Sequence, residues 1–291
     1  ALFPLFYALD GVKNRWQAFF YGFAAGFIFY LFSISWLRHV TVFGLFFVIS
    51  ILSIYWGIFG LIFHSRLRSW GWLFLSAVWV ALEFFRAEIP VWGLGWNLLG
   101  TSQAPNLYIA QLASIGGVYL VSFLVFLSNG IMYALFRNGV QKEFQHFLLF
   151  LLLLAAVFVF GWSRFQIYNA NPLFRVSVLQ GNIPQLLKWD QAYREEILKI
   201  YINLTELASY DQPELIVWPE AAFPGFLNRD PEAFRIKEMV QKIQIHTLLG
   251  SPHQEDYGFF NSAYLLSPGV DATQRYDKIR LVPFGEYVPW K

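Results

Sequence analysis

Five long apolar runs occupy the first 162 residues of the chain, at approximately 16–37, 42–63, 70–89, 112–136 and 145–162. Each is close to the ~20 residues that an α-helix needs to cross a bilayer core of about 30 Å, the last being the shortest. The runs are apolar on every face, whereas a helix on the surface of a soluble protein carries one apolar stripe. Charge is correspondingly scarce: only eight of the 21 Lys/Arg and four of the 19 Asp/Glu fall here. A further apolar stretch, Ala1 to Leu9, has the character of the tail of a spanning helix. Residues 1–165 are therefore expected to form a polytopic α-helical membrane bundle of about six spans, the first one partial.

Orientation follows from where the cations sit. Lys13, Arg15, Arg66, Arg68, Arg137 and Lys142 belong to one set of alternate loops, and Arg38 and Arg86 to the other. Six against two places the first set in the cytoplasm, so that everything from residue 163 onward emerges on the external side. Gly22 and Gly26 have the spacing that lets two helices approach closely. Glu83 and Arg86, three residues apart, can pair on one helix face. The stretch from Ile89 to Ala110 is uncharged and aromatic and is interrupted by Pro90, Pro105 and three glycines. It is expected as a re-entrant or interfacial loop on the outer side.

Behind the bundle the pattern changes. Asn169 to Pro172 reads as a linker, and residues 173–291 alternate between strand and helix periods. Phe174–Gln180 alternates as a strand; Asp190 then caps a helix with Ile197, Ile200, Tyr201, Leu204 and Leu207 on its inner side. Asp230-Pro231 starts another, with Phe234, Met239, Val240 and Ile243 inward. His246–Gly250 and Asn261–Leu266 are further strands. The order is that of a layered α/β domain, in which ligands favour the edge where strands end in polar loops.

One such strand end stands out. In ELIVWPEAAFP, Glu214 to Pro224, an apolar β-prone run stops at Pro219 and delivers a single carboxylate, Glu220, between Trp218 and Ala221-Ala222-Phe223. A carboxylate held among apolar groups resists ionisation, as a general acid or base should. A solvated loop residue is the competing reading. Read the same way, Lys278 is a surface lysine that Asp277 could pair, Glu286 a turn carboxylate after Phe284-Gly285, and Trp189 a packing aromatic.

Other chemistries have no residues to carry them. There is no cysteine, and the five histidines are scattered. The nucleophile-elbow, phosphate-loop and zinc-protease motifs do not occur. No metal and no cofactor is expected, and a net charge of +2 is too small to imply nucleic acid.

LQGNIPQLLKWD, LIVWPEAAFP and YDKIRLVPFGEYVP, in that order behind hydrophobic helices, resemble the apolipoprotein N-acyltransferases, membrane enzymes of the nitrilase or carbon–nitrogen hydrolase superfamily. FYGFAAGFIFYLFSISWL, WVALEFFR, LGWNLLGTSQ and QLASIGGVYLVSFLVFLSNG extend the match across the membrane half. The resemblance implies an αββα nitrilase-like domain on the periplasmic side of the bacterial inner membrane. It implies Glu220 as general base, Lys278 as catalytic lysine, Glu286 as a further functional glutamate and Trp189 as a functional tryptophan.

The implied reaction is ping-pong: a phospholipid donates an acyl chain to a cysteine, and the α-amine of a diacylglyceryl-cysteine apolipoprotein accepts it. The family's cysteine lies downstream of the FGE motif and is not among these residues. Ala1 without an initiator Met, and an end at Lys291 just past a turn, read as a piece of a longer protein that is inactive alone. Two other classes remain open: a membrane-tethered amidohydrolase with the same Glu and Lys, and a non-catalytic membrane binding or scaffold protein. On the acyltransferase reading, the loop around Trp92 and Trp96 is the candidate for guiding acyl chains.

Overall fold

The computed structural model describes residues 2–65, 70–88, 93–167, 174–270, 273–282 and 286. Arg66, Arg68, Pro90, Trp92, the linker at 169–172 and Phe284-Gly285 lie outside the described residues. The chain divides into two compact units, 1–169 and 170–291.

The first unit is helical. Its elements are α1 (Phe3–Asp10), α2 (Arg15–Ser33), α3 (Val42–His64), α4 (Gly71–Glu88), the short α5 (Leu107–Ala110), α6 (Ala113–Asn138) and α7 (Val140–Ile167). Asn14 caps α2 by accepting from Gln17 N at 2.9 Å, and Thr41 caps α3 by accepting from Gly44 N. By length and composition, α2, α3, α6 and α7 can each cross a membrane. α4 has 18 residues and carries Glu83 and Arg86, both buried.

Helices without a polar face need another means of fitting together, and here it is small residues against aromatic ones. Gly22 and Gly26 seat Trp56 of α3; a Cβ at Gly26 would lie 2.7 Å from the indole, and one at Gly22 would collide with the Trp56 carbonyl. The centre of the unit is aromatic: Phe6, fully buried, meets Phe59, Phe63, Trp72, Phe126 and Tyr133 at ring-centroid distances of 5.0 to 6.4 Å. Asp10 fastens α1 to α6, accepting from Tyr133 Oη at 2.8 Å and Arg137 at 2.7 Å.

Glu83 and Arg86 do not pair with each other. Glu83 Oε1 accepts from Trp79 Nε1 at 3.1 Å and from Leu99 N at 2.7 Å. Arg86 donates to the carbonyls of Leu94 and Trp96, both at 2.9 Å. The backbone of an irregular segment inside an apolar bundle has to find partners, and these two charges supply them. The segment then makes a 3-10 turn over Leu99–Gln103, and Gly100 N donates to the buried Ser122 Oγ at 2.8 Å.

The second unit contains β1 (Val176–Val178), α8 (Gln185–Lys188), α9 (Arg194–Ser209), β2 (Leu215–Val217), α10 (Ala233–Ile243), β3 (His246–Glu255), β4 (Gly258–Leu266) and β5 (Gln274–Asp277). The sheet order is β1-β2-β3-β4-β5. β1, β2 and β3 run parallel, with helical crossovers, while β4 and β5 are each antiparallel to the strand before. The C-terminal ends of β2 and β5 and the first half of β4 consequently share one edge. β3 and β4 pair from Thr247↔Leu266 to Glu255↔Gly258, longer than the sequence pattern suggests, and β5 is a strand that the pattern does not announce.

The helices pack through Ile197, Leu198 and Tyr201 of α9 and Ile236, Met239 and Val240 of α10 onto Ile216, Trp218, Phe223 and Leu249. Two expectations fail locally. Leu207 and Phe234 point outward, at 66% and 69% exposure. Asp230 does not cap α10; it accepts from Phe226 N at 2.6 Å and pairs with Arg194, so the helix starts after Glu232.

Candidate active site

The site begins with a buried indole. Trp218 continues β2 into the core, stacks on Tyr201 at 4.9 Å and donates Nε1 to Thr205 Oγ1 at 2.9 Å. Pro219 ends the strand, Glu220 follows, and Ala221 takes a left-handed backbone at φ 48°. This elbow lies across β3 at Gly250, where a Cβ would stand 2.7 Å from Glu220 Cα and from Pro219 O. Glycine is the residue that permits the approach. The Glu220 side chain thus reaches toward β4.

There Asn261 Nδ2 donates to Glu220 Oε1 at 2.5 Å and to Glu286 Oε1 at 2.7 Å. Lys278, the first residue past β5, is registered by its own N–H donating to Asn261 O at 2.8 Å. Its ammonium lies 3.0 Å from both Glu220 and Glu286. Glu286 Oε2 also accepts from Val282 N at 2.7 Å. Asp277 is engaged elsewhere, by Ser262 Oγ at 2.6 Å and Arg275 at 3.2 Å, so it does not compete for Lys278. Two carboxylates, one ammonium and one amide therefore converge, and Glu220, Asn261 and Lys278 line a cleft of about 740 Å3 together with Gly250, Tyr276 and Ile279.

The electrostatics correct the expectation that Glu220 resists ionisation. Its side chain is 63% exposed, against 30% for Lys278 and 24% for Glu286. The Lys278 hydrogen bond holds the Glu220 carboxyl below the usual range; partial burial opposes this, and the Asn261 bond reinforces it. Lys278 is pushed up in turn, first by its bond to Glu220. At Glu286 burial acts upward, but the Val282 N–H, Asn261 and Lys278 outweigh it and the net direction is down. Partners for the charged form have prevailed over desolvation. The cluster is a carboxylate–ammonium–carboxylate assembly at neutral pH.

Trp189 stands outside the cluster. It follows α8, 55% exposed, with the Lys188 ammonium 5.9 Å from its ring centroid. Lys188 in turn donates to the Glu220 carbonyl at 3.1 Å. Desolvation pulls the Lys188 ammonium down, against the attraction of the Glu220 charge. Trp189 is linked to the elbow through this lysine.

Sequence reasoning missed Asn261 and Lys188. An Asn opening the apolar pattern NSAYLL was a usable signal, since Asn is depleted from strands unless its amide has work to do. Nothing local distinguishes Lys188 from a surface lysine.

Comparison with known proteins agrees with this architecture. Residues 1–131 match the family described as apolipoprotein N-acyltransferase N-terminal domain, and residues 175–291 match carbon-nitrogen hydrolase. Among curated relatives, the apolipoprotein N-acyltransferase of Geobacter metallireducens is 39% identical over 223 residues, covering 73% of this chain and 43% of that protein. The enzyme of that name from Nitrosomonas europaea is 34% identical over 236 residues, covering 78% and 45%. That of Chlorobaculum tepidum is 27% identical over 320 aligned positions, covering all of this chain and 60% of the relative. The chain thus spans about half the length of these relatives. The two halves are matched separately and in order, and a relative of one name spans the join between them: the chain belongs to the apolipoprotein N-acyltransferase family.

Proposed function

We propose that the chain carries the base and the oxyanion-stabilising cation of an enzyme that transfers an acyl chain from a phospholipid to the N-terminal amine of a diacylglyceryl apolipoprotein. The observation that carries this reading is the convergence of Glu220, Lys278 and Glu286 through Asn261 at one sheet edge. In the proposed cycle a thiol outside these residues attacks the donor ester. Glu220 takes the thiol proton as the S–C bond forms, and the Lys278 ammonium stabilises the tetrahedral oxyanion. Collapse expels the lysophospholipid alkoxide, protonated by Glu220, and leaves a thioester. The acceptor amine then attacks the thioester, giving up its proton to the same carboxylate, and thiolate departs.

An ionised Glu220 is ready to accept a proton but is weakly basic toward a thiol of pKa about 8.5. The nearby ammonium compensates, because a cation beside a thiol favours its thiolate. Glu286 and Asn261 hold the base and the ammonium in place, and Trp189 reaches the elbow through Lys188. The membrane is the bacterial inner membrane and the catalytic unit faces the periplasm, as the excess of cations in the opposite loops supports.

The test is incubation of the full-length protein with a phospholipid labelled in its acyl chain, followed by an acceptor lipopeptide. A lipid-derived thioester that discharges to the peptide amine is expected. Release of labelled fatty acid to water with no transfer would instead identify a hydrolase.

A further inference from the structure

β5 is the last strand of the sheet among the described residues, where it pairs with β4 alone. Its four residues, Gln274, Arg275, Tyr276 and Asp277, include no aliphatic side chain, so no hydrophobic pattern chooses its register. Register matters here, because side chains alternate across a sheet and a slip of one residue sends each to the opposite face. Slipped by one, β5 would carry Lys278 from the cleft to the helix-covered side. A slip of two would keep the face but move Lys278 by about 7 Å along the strand.

What opposes a slip lies on the face away from the cleft. Ser262, Tyr264 and Leu266 of β4 turn inward and are buried. The ladder sets Asp277 opposite Ser262 and Arg275 opposite Tyr264. Asp277 accepts from Ser262 Oγ at 2.6 Å. Arg275 pairs with Asp277 at 3.2 Å and reaches past β4 to Glu255 of β3 at 2.8 Å. On the way its guanidinium lies 5.8 Å from the Phe260 ring centroid and meets the buried His253, whose Nδ1 bonds Tyr264 Oη at 2.5 Å. One side chain thus ties β5 to β3 across β4. Backbone ladder bonds are alike in every register, so opposed and charge-matched side-chain pairs are what tell one register from the next. We infer that Arg275 and Asp277 are positioning residues for the acyl transfer: from the far face of the sheet they fix the register of β5 and so hold Lys278 against Glu220 and Glu286. The inference rests on the reading of Lys278 as the oxyanion-stabilising cation, since both residues act only through it.

The experiment uses the full-length protein with a geometric and a kinetic readout. The first is the rate at which acetic anhydride labels Lys278 near neutral pH, measured by peptide mass spectrometry against the exposed Lys199 in the same sample. Only the free amine reacts, so an ammonium held by two carboxylates is slow to label. The second is the single-turnover rate of acyl-enzyme formation from acyl-labelled phospholipid. In wild type Lys278 is expected to label more slowly than Lys199. Arg275→Gln and Asp277→Ala are expected to raise Lys278 labelling relative to Lys199 by about tenfold, the effect of one pKa unit. They are expected to lower acyl-enzyme formation by about 10²-fold, as a small misplacement of a catalytic group does. The loss should fall on kcat and kcat/KM equally, with KM for the donor unchanged. Asp277→Asn keeps an acceptor for Ser262 and is expected to recover most of both readouts. Ser262→Ala removes that contact from β4 by a smaller change, and it decides the matter, by the same two readouts, if the other variants do not fold. Unchanged Lys278 labelling in folded variants, whatever the rate, overturns the inference. Raised labelling with undiminished acyl-enzyme formation instead overturns the reading of Lys278 on which it rests.

Discussion

At the scale of single residues, the most informative feature is how Glu220 is held. It is a carboxylate fixed by an ammonium and an amide, and its ionisation is favoured by bonds to its charged form. Glu220→Gln in the full-length protein is expected to lower acyl-enzyme formation by about 10²–10⁴-fold, the usual range for loss of a general base. Lys278→Met should cost about 10²–10³-fold, as loss of an oxyanion partner does. Both are read by single-turnover labelling. The pH dependence has a defined sign. Glu220 and Glu286 titrate below their unfolded range, so what they contribute to stability is complete above about pH 4.3 and drains as pH falls through their folded values. Lys278 titrates above its unfolded value, so its contribution is complete below about pH 10.4 and drains as pH rises through the raised one. The acid limb of kcat/KM for acyl-enzyme formation should therefore lie below the ordinary glutamate range. A limb near pH 6 to 7 assigned to Glu220 would mean that desolvation prevails there after all.

At the scale of elements, β2, its elbow and β3 form one device. Trp218 is locked beneath the elbow by Tyr201 and Thr205, and Gly250 leaves room for Glu220 to cross toward Asn261. Gly250→Ala is expected to destabilise the fold by about 1–3 kcal/mol, as overpacking does, and to depress activity further by displacing Glu220. Denaturant titration with a parallel acyl-enzyme assay would measure both. Much of this unit was legible in the sequence: the strand stopping at Pro219 and the helical faces of Ile197, Tyr201, Met239 and Val240 are local patterns, and the structure keeps them. The elbow's crossing was not, because it depends on a glycine thirty residues downstream. β5 and the partners of Asn261 were hidden for a related reason. Their meaning comes from antiparallel pairing, which brings Asn261 and Lys278 together through register and not through spacing. The burial imagined for Glu220 failed because flanking apolar residues say nothing of which side chains turn inward. Ala222 and Phe223 do so, and Glu220 does not.

At the scale of the whole molecule, the proposed function divides the labour between an apolar helical unit that meets lipid and a charged α/β unit that carries the chemistry. The excess of cations in one set of loops supports the proposal that the second unit faces outward. A thiol introduced at the highly exposed Tyr210 should react with an impermeant maleimide in intact spheroplasts, and one at Asn138 only after permeabilisation; the reverse pattern would invert the topology. The proposed reaction leaves a covalent trace on the protein that can be counted. Full-length wild type, Glu220→Gln and Lys278→Met proteins, each shown to be folded, are mixed with acyl-labelled phospholipid and the protein-bound label is counted after denaturation. Hydroxylamine-labile label on wild type, with the loss of about 10²-fold or more in both variants, is the expected result. Equal labelling of all three proteins, or no protein-bound label while a soluble amide is hydrolysed, would contradict it.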